Sequence, residues 1–180
     1  MTKPVPCILV TITQEAEVCL RRFNGRDCPR GGYHDTRVPL GRMASLADPD
    51  VAYRPPVSTP PPEDKRWPSH CRCGYAYLTT DVRQVFHEQL YRAPDGTLST
   101  PRAAPAGWMW PSTWLPWKGP DGLCLIVKLP GGGEWVIDGP ANNSSVGWVR
   151  TGTPPNLTVR PSIQTPTFHG WLNAGVITST

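Results

Sequence analysis

The sequence predicts a β-rich α+β fold of short antiparallel strands and hairpins, with one central short helix and long proline-rich extended segments. Of its 180 residues, 23 are proline and 17 are glycine, and only 18% are charged. Proline has no backbone N–H and disrupts helix interiors and central strands, so this composition favours short strands joined by turns. Eight tryptophans can supply the apolar area of a core. We expect a single domain over residues 1–180, because domains commonly span about 100–200 residues.

The first structured segment is open to two interpretations. Residues 8–19 alternate loosely between apolar and polar side chains, which is typical of a strand. Residues 15–20 could equally form one helical turn, because short apolar runs do not distinguish the two. We keep both interpretations.

A proline-rich linker follows at residues 48–64, which contain Pro49, Pro55, Pro56 and Pro60–Pro62. Prolines at this density block helix and sheet hydrogen bonds and favour an extended polyproline path. The linker belongs to a first predicted lobe over residues 1–80, which a metal ion bound by its cysteines and histidines would hold together.

The central helix is predicted over about residues 81–91. Asp81 could cap its N-terminus and lie at the positive end of the helix dipole. Val82, Val85, Phe86 and Leu90 then follow at helical spacing. We expect this helix to open a second lobe, helix plus β-rich, over residues 81–180.

Two hairpins are predicted in that second lobe. Residues 123–129 and 134–138 are strand-like and flank Pro130–Gly133, which suits a longer hairpin loop. Residues 168–172 and 176–178 bracket a turn at Asn173, Ala174 and Gly175. The glycines of the first loop favour a turn over a phosphate-binding loop, because no Lys-Ser/Thr follows them.

A possible metal site is divided between two distant parts of the sequence: Cys28 with His34, and Cys71 with Cys73. Zinc binds thiolate and imidazole ligands in a tetrahedron, and a turn-rich chain would gain stability from such a cross-link. Only one residue separates Cys71 from Cys73, one fewer than in the usual zinc knuckle. His70 could replace His34, and Cys19 could replace Cys28. A closed site of four ligands would hold a structural zinc ion.

The remaining cysteines and histidines carry weaker signals. Cys7 and Cys124 have apolar, strand-like neighbours and are predicted to be core residues. His169 lies between aromatic residues, where a structural histidine is favoured over a catalytic base. A base would need both a nucleophile and an orienting carboxylate nearby, for which Asp138, Ser162 and Cys124 are the candidates.

Residues 108–117 contain Trp108, Trp110, Trp114 and Trp117, interrupted by two prolines. Large aromatic side chains fill cores, and they also anchor interfaces because they lose little rotamer entropy on binding. We favour core and lid, and the partner-binding interpretation of the four tryptophans stays open.

Five sets of residues carry a resemblance to a known family: 31–34 with 40–41, 66–75, 84–91, 148–150 with 154–159, and 162–172. They include a Cys-rich Trp-Pro-x-His-Cys motif and a C-terminal Phe/Tyr-His-Gly-aromatic-Leu motif. Together they resemble a family of proteins encoded by tailed bacteriophages and prophages. The resemblance covers most of the chain and implies a phage setting with a metal site, but it implies no reaction.

These observations predict a non-enzymatic virion accessory protein, such as a head or tail decoration or assembly component, stabilised by structural zinc. Other phage structural proteins or further copies of the chain are the expected partners. The alternatives are a small zinc-dependent hydrolase, assisted by His169 or Glu134, and a host-directed, zinc-stabilised binding protein.

Nucleic acid is a less expected partner, because the net charge is only +4 and the one dense basic run is Arg21, Arg22, Arg26 and Arg30. We expect no membrane association, because no apolar stretch approaches the roughly 20 residues that a span needs. Residues 1–10 lack the features of a secretory signal. The resemblance to phage proteins implies the virion as the location, after assembly in the host cytoplasm. Without export, the cysteines are expected to be reduced thiols or metal ligands.

Overall fold

The computed structural model describes residues 3–30, 32–43, 59–140 and 147–180. These residues contain strands and turns but no helix, which confirms the β-rich prediction. None of their segments is a helix that could span a membrane. The strands are β1 (Val5–Pro6), β2 (Ile8–Leu9), β3 (Thr11–Asp27), β4 (Tyr33–Met43), β5 (Val82–Arg92), β6 (Leu98–Ser99), β7 (Trp108–Ser112), β8 (Cys124–Lys128), β9 (Glu134–Val136), β10 (Val149–Thr151), β11 (Thr158–Arg160), β12 (Ile163–Thr165), β13 (Phe168–Asn173) and β14 (Val176–Ser179).

The chain divides into two compact units. One, which we call the core unit, comprises Met1–Ile12 and Tyr91–Thr180; the other, the ligand unit, comprises Thr13–Leu90. Three four-stranded sheets have the orders β1-β14-β13-β12, β2-β7-β8-β9 and β4-β3-β5-β6, and β10 pairs with β11. The described pairings are antiparallel except that of β2 with β7.

Both predicted hairpins are confirmed. Strands β8 and β9 pair through Ile126 with Val136 and Lys128 with Glu134. Strands β13 and β14 pair up to Asn173 and Val176, and the turn between them uses positive φ angles at Ala174 and Gly175. Turn chemistry and flanking apolar runs were sufficient signals for these two elements.

The predicted helix over residues 81–91 is wrong, because this segment is strand β5. Phe86 and Glu88, two residues apart, both contact Arg37: its guanidinium lies 4.3 Å from the Phe86 ring centroid and 3.0 Å from a Glu88 carboxylate oxygen. Side chains two apart share one face of a strand, and cross-strand partners reward that arrangement. Asp81 does not cap a helix but accepts a hydrogen bond from the Leu78 N–H, 2.8 Å away.

Strand lengths also differ from expectation. Strand β3 has 17 residues, and β4 and β5 have 11 each, although the composition predicted short strands. The undecided segment at residues 8–19 belongs to strands β2 and β3 rather than to a helical turn. Of the predicted linker, residues 48–58 lie outside the described residues; in the rest, the Pro61 carbonyl accepts a hydrogen bond from the Asp64 N–H.

The hydrophobic clusters formed by buried residues of the described chain lie in the core unit. One cluster includes Met109, Leu125, Leu172 and Ile177, and another gathers around Trp108 and other residues. Among the described residues of the ligand unit, the largest fully buried side chains are Leu20 and Leu90. The two units therefore differ in how much apolar volume they bury.

Candidate metal centre

A tight loop at the end of the β3–β4 hairpin carries the first two candidate ligands. Asp27 pairs with Tyr33, and the Cys28 N–H donates to the Gly32 carbonyl at 2.8 Å. Gly32 has a φ of 65°, a left-handed conformation that glycine adopts without steric cost. The loop places Cys28 just beyond β3 and His34 within the start of β4.

A second loop, at residues 69–77, carries the other two. The Cys71 N–H donates to the Tyr75 carbonyl and the Gly74 N–H to the Cys71 carbonyl, both at 2.8 Å. His70 and Ala76 form an antiparallel bridge beneath this turn. The single-residue spacing between Cys71 and Cys73 thus fits a tight turn at the tip of a small hairpin.

The four side chains converge within the ligand unit. One ligand atom from each of Cys28, His34, Cys71 and Cys73 lies within 4.8 Å of all the others. Cys28 Sγ is 4.0 Å from Cys71 Sγ, and Cys73 Sγ is 3.4 Å from His34 Nδ1. A tetrahedral zinc ion with bonds of about 2.3 Å to sulfur and 2.0–2.1 Å to nitrogen separates its ligands by about 3.8 Å and about 3.5 Å respectively. The cluster could therefore hold a metal ion with little rearrangement.

The surroundings of the cluster favour a thiolate at Cys71. Burial raises the pKa of this thiol, but hydrogen bonds from the Cys73 backbone N–H and from the His34, Cys73 and Cys28 side chains outweigh burial and bring the pKa to about 6. At Cys28 a hydrogen bond from the Arg30 backbone N–H lowers the pKa. Burial and the neighbouring Cys73 and Cys71 thiols together raise it by more, so the net shift of the pKa is upward. Thiolate is the form that binds a metal.

A ring-stacking contact and a polar network position His34, the candidate nitrogen ligand. The His34 ring stacks on Tyr75, with centroids 4.1 Å apart and planes 16° apart. The Tyr75 hydroxyl donates to Asp81 Oδ2 at 3.2 Å, and Asn24 Nδ2 donates to Asp81 Oδ1 at 2.6 Å. Sequence reasoning missed Asn24, Tyr75 and Asp81, because only the folded chain brings them together. The network fixes the ring that carries the nitrogen ligand.

The two alternative ligands are not part of the cluster found among the described residues. Cys19 is buried in β3, where burial and the nearby Glu17 and Glu88 carboxylates raise its pKa to about 11. His70 is exposed, and its Nδ1 lies 3.0 Å from Ser69 Oγ. In this fold Cys19 is therefore a buried structural residue and His70 is a surface residue.

The other chemically interesting residues lie in the core unit. Cys7 and Cys124 are buried, as predicted, and burial raises the pKa of Cys7 to about 12. His169 is exposed, with its Nδ1 3.4 Å from Thr180 Oγ1. Asp138, a candidate partner of His169, instead accepts a 2.7 Å hydrogen bond from Arg150 Nε. The described contacts of His169 include no nucleophile–base–acid arrangement.

The four tryptophans proposed for partner binding divide into two pairs. Trp108 and Trp110 are 3% and 1% exposed and belong to a hydrophobic cluster, in agreement with the core interpretation. Trp114 and Trp117 are 63% and 38% exposed. Because a partner can contact only exposed side chains, the partner-binding prediction is kept for Trp114 and Trp117.

The fold and the site together define a β-protein with a candidate Cys₃His metal centre. No known protein family, curated protein or solved structure matches this chain.

Proposed function

We propose that the protein is a non-enzymatic structural and interaction protein whose ligand unit is held together by a structural zinc ion. The convergence of Cys28, His34, Cys71 and Cys73 is the observation that carries this proposal. A metal ion bound there would join the β3–β4 hairpin to the loop at residues 69–77, and so would stabilise the fold rather than carry out a reaction.

The donor set favours zinc over other metals. Three thiolates and one imidazole in a tetrahedron suit zinc, whereas magnesium and calcium prefer oxygen ligands in larger shells. The Cys28–Cys71 sulfur–sulfur distance of 4.0 Å and the Cys73–His34 sulfur–nitrogen distance of 3.4 Å are each within a few tenths of an ångström of those in a tetrahedral zinc site.

A metal held by all four residues would be structural rather than catalytic. Catalytic zinc sites keep one position open for water, and here four protein ligands would fill the tetrahedron. Cys28, His34 and Cys71 are each at most 8% exposed, so the centre is largely closed to substrate. The alternative, a small zinc-dependent hydrolase, would require one ligand to leave.

The ligand unit has a physical need for such a cross-link. Small domains with limited cores commonly depend on metals or disulfides, and all six cysteines of this chain are free. Because a preformed site rarely exists in the unfolded chain, the free energy of zinc binding would contribute directly to folding.

The setting rests on the resemblance to phage proteins. We propose that the protein is a virion accessory component, for head or tail decoration or assembly, that contacts other phage structural proteins or further copies of itself. The exposed Trp114 and Trp117 support an interaction role, because large exposed aromatics commonly anchor interfaces. A host-directed binding protein built on the same zinc-stabilised fold is the second candidate.

Metal analysis of purified variants tests the zinc proposal. We expect about one zinc per chain in the wild type, loss of zinc from Cys71→Ser and Cys73→Ser, and a much lower melting temperature in both. Cys19→Ser is the matched control, since Cys19 is a buried thiol of the same unit outside the cluster. A metal-free wild type, or equal zinc content in all three variants, would contradict the proposal.

Mass spectrometry of purified phage particles tests the setting separately. A virion component should be present in fixed copy number in intact particles. If zinc is bound but the protein is absent from particles, the host-directed binding role would replace the virion role.

A further inference from the structure

The core unit contains an aromatic cleft with no assigned role. Its volume is about 390 Å³, and it opens beside strand β9 and the ends of β12. Three tryptophans, two prolines and one acidic residue line most of it: Trp117, Trp135, Trp148, Pro140, Pro166 and Glu134.

The tryptophans form rigid walls. The rings of Trp135 and Trp148 meet edge to face, with centroids 5.2 Å apart and planes at 85°. Trp148 is held further by its indole N–H, which donates to the Ser162 carbonyl at 3.3 Å. Trp135 is buried, whereas Trp117 is 38% exposed. The cleft therefore presents an accessible indole beside two fixed ones.

The polar groups restrict the class of ligand. Glu134 is the one charged side chain among the described residues that line the cleft; it is 43% exposed and lies 3.5 Å from Lys128 Nζ. A carboxylate without an arginine or lysine in the lining disfavours phosphates and nucleic acids. Gln164 and Thr165 are the other polar lining residues, which is a sparse set for the many hydroxyls of a sugar.

We propose that this cleft binds a proline-rich polypeptide segment in the polyproline II conformation, with a basic residue beside the prolines. Polyproline II helices dock in aromatic-lined grooves, and they lose little entropy on binding because proline has already fixed their backbone. The proline rings would pack on the indoles, and the cation would share the exposed Glu134 carboxylate with Lys128, whose Nζ lies 3.5 Å from it.

The same chain already uses contacts of this kind. In the ligand unit, the indole N–H of Trp67 donates to the carbonyl of Pro61 at 3.0 Å, and Pro60, which precedes Pro61 in the sequence, is buried. Trp67 is itself 6% exposed. A proline-rich backbone has free carbonyls, since it forms no internal hydrogen bonds, and tryptophan combines a flat apolar face with one donor.

The cleft proposal rests on the interaction role in the proposed function and names the chemical class of the partner, a proline-rich polypeptide with a basic residue. It can be tested independently of the metal. The full-length, metal-loaded protein is labelled with ¹⁵N, and its indole N–H signals are followed while a peptide of one arginine and nine prolines is added. The comparison peptides are one glutamate with nine prolines, and a glycine–serine peptide of equal length.

The arginine peptide should produce saturable shifts of the Trp117, Trp135 and Trp148 signals and bind more tightly than the glutamate peptide. Trp117→Ala should weaken its binding at least about tenfold, the usual effect of losing an aromatic anchor. Trp171→Ala is the matched control, because Trp171 is 37% exposed, close to the 38% of Trp117, but does not line the cleft. Both variants should keep the zinc content of the wild type.

Four results would overturn the inference. The first is a lack of saturation by about 5 mM peptide, which would mean an affinity far weaker than that of specific interfaces. The second is equal signal shifts with the glycine–serine peptide, and the third is an equal loss of affinity in the two tryptophan variants. The fourth is saturable binding of a soluble oligosaccharide in place of the peptide. None of these results would alter the zinc proposal, whose ligands lie in the other unit.

Discussion

Gly74 directly follows Cys73 and has a φ of 94°, a backbone conformation that residues with a Cβ rarely adopt. A Cβ at this position would meet no atom within 4 Å, so the demand on the residue is conformational and not one of space. The turn that presents Cys71 and Cys73 therefore depends on glycine for its backbone.

Gly74→Ala should lower the free energy of unfolding by about 1–2 kcal/mol, the usual cost of the left-handed conformation for a residue with a Cβ. Chemical denaturation of the zinc-loaded protein measures this loss. Gly25→Ala is the control, because Gly25 lacks a positive φ and its Cβ would make only an ordinary contact with Phe23. Equal stability of the two variants would show that the turn does not need glycine.

At this scale, the sequence was sufficient to find the four candidate ligands but not to exclude the alternatives. Thiol and imidazole chemistry pointed to Cys28, His34, Cys71 and Cys73 before any geometry was known. Cys19 satisfied the same chemistry. What separates it from Cys28 is position, because Cys19 lies within β3 whereas Cys28 follows it in the loop. That difference depends on where the strand ends, which the sequence did not reveal.

Among the elements of the core unit, strand β10 is joined to its surroundings by a buried charge network. Arg150 donates from Nε to Asp138 and pairs through its other nitrogens with Asp121. The Asp138 carboxylate also accepts a hydrogen bond from the Leu125 N–H at 2.9 Å. The side chains of Arg150 and Asp138 are 3% and 5% exposed, so solvent screens this pair weakly.

Asp138→Asn keeps the size of the side chain but removes its charge from beside a buried guanidinium. The expected loss is about 1.5–3 kcal/mol of unfolding free energy, as for hydrogen bonds to charged groups. A urea unfolding curve gives the value.

Asp64→Asn is the matched control for this prediction. Asp64 pairs with Arg66, whose side chain is 57% exposed, and solvent-exposed ion pairs contribute little. We expect its unfolding curve to superpose on that of the wild type. If the two substitutions had equal effects, burial would not be what gives the Arg150 network its strength.

Prediction at the level of elements succeeded for hairpins and failed for β5. Glycine and asparagine turns between apolar runs are local signals, so the β8–β9 and β13–β14 hairpins could be predicted. The apolar residues of β5 also match a helical period, and the interactions that favour a strand are non-local. The contacts of Phe86 with Arg21 and Arg37, which come from β3 and β4, decide between the two.

For the whole molecule, the two units differ in what their described residues bury. The core unit buries its own hydrophobic clusters, whereas the described part of the ligand unit buries few large side chains and places its four candidate ligands together. Composition could predict neither the division at residues 12–13 and 90–91 nor this contrast, because both depend on which strands pair. A metal ion that joins the two loops would therefore be a main source of stability for the ligand unit.

X-ray absorption at the zinc edge of the purified, metal-loaded protein tests this claim most directly. The account predicts three sulfur ligands at about 2.3 Å and one nitrogen at about 2.0–2.1 Å, with no oxygen in the first shell. An oxygen ligand in place of a sulfur or the nitrogen would contradict a closed structural site, and it would favour an open, catalytic zinc position.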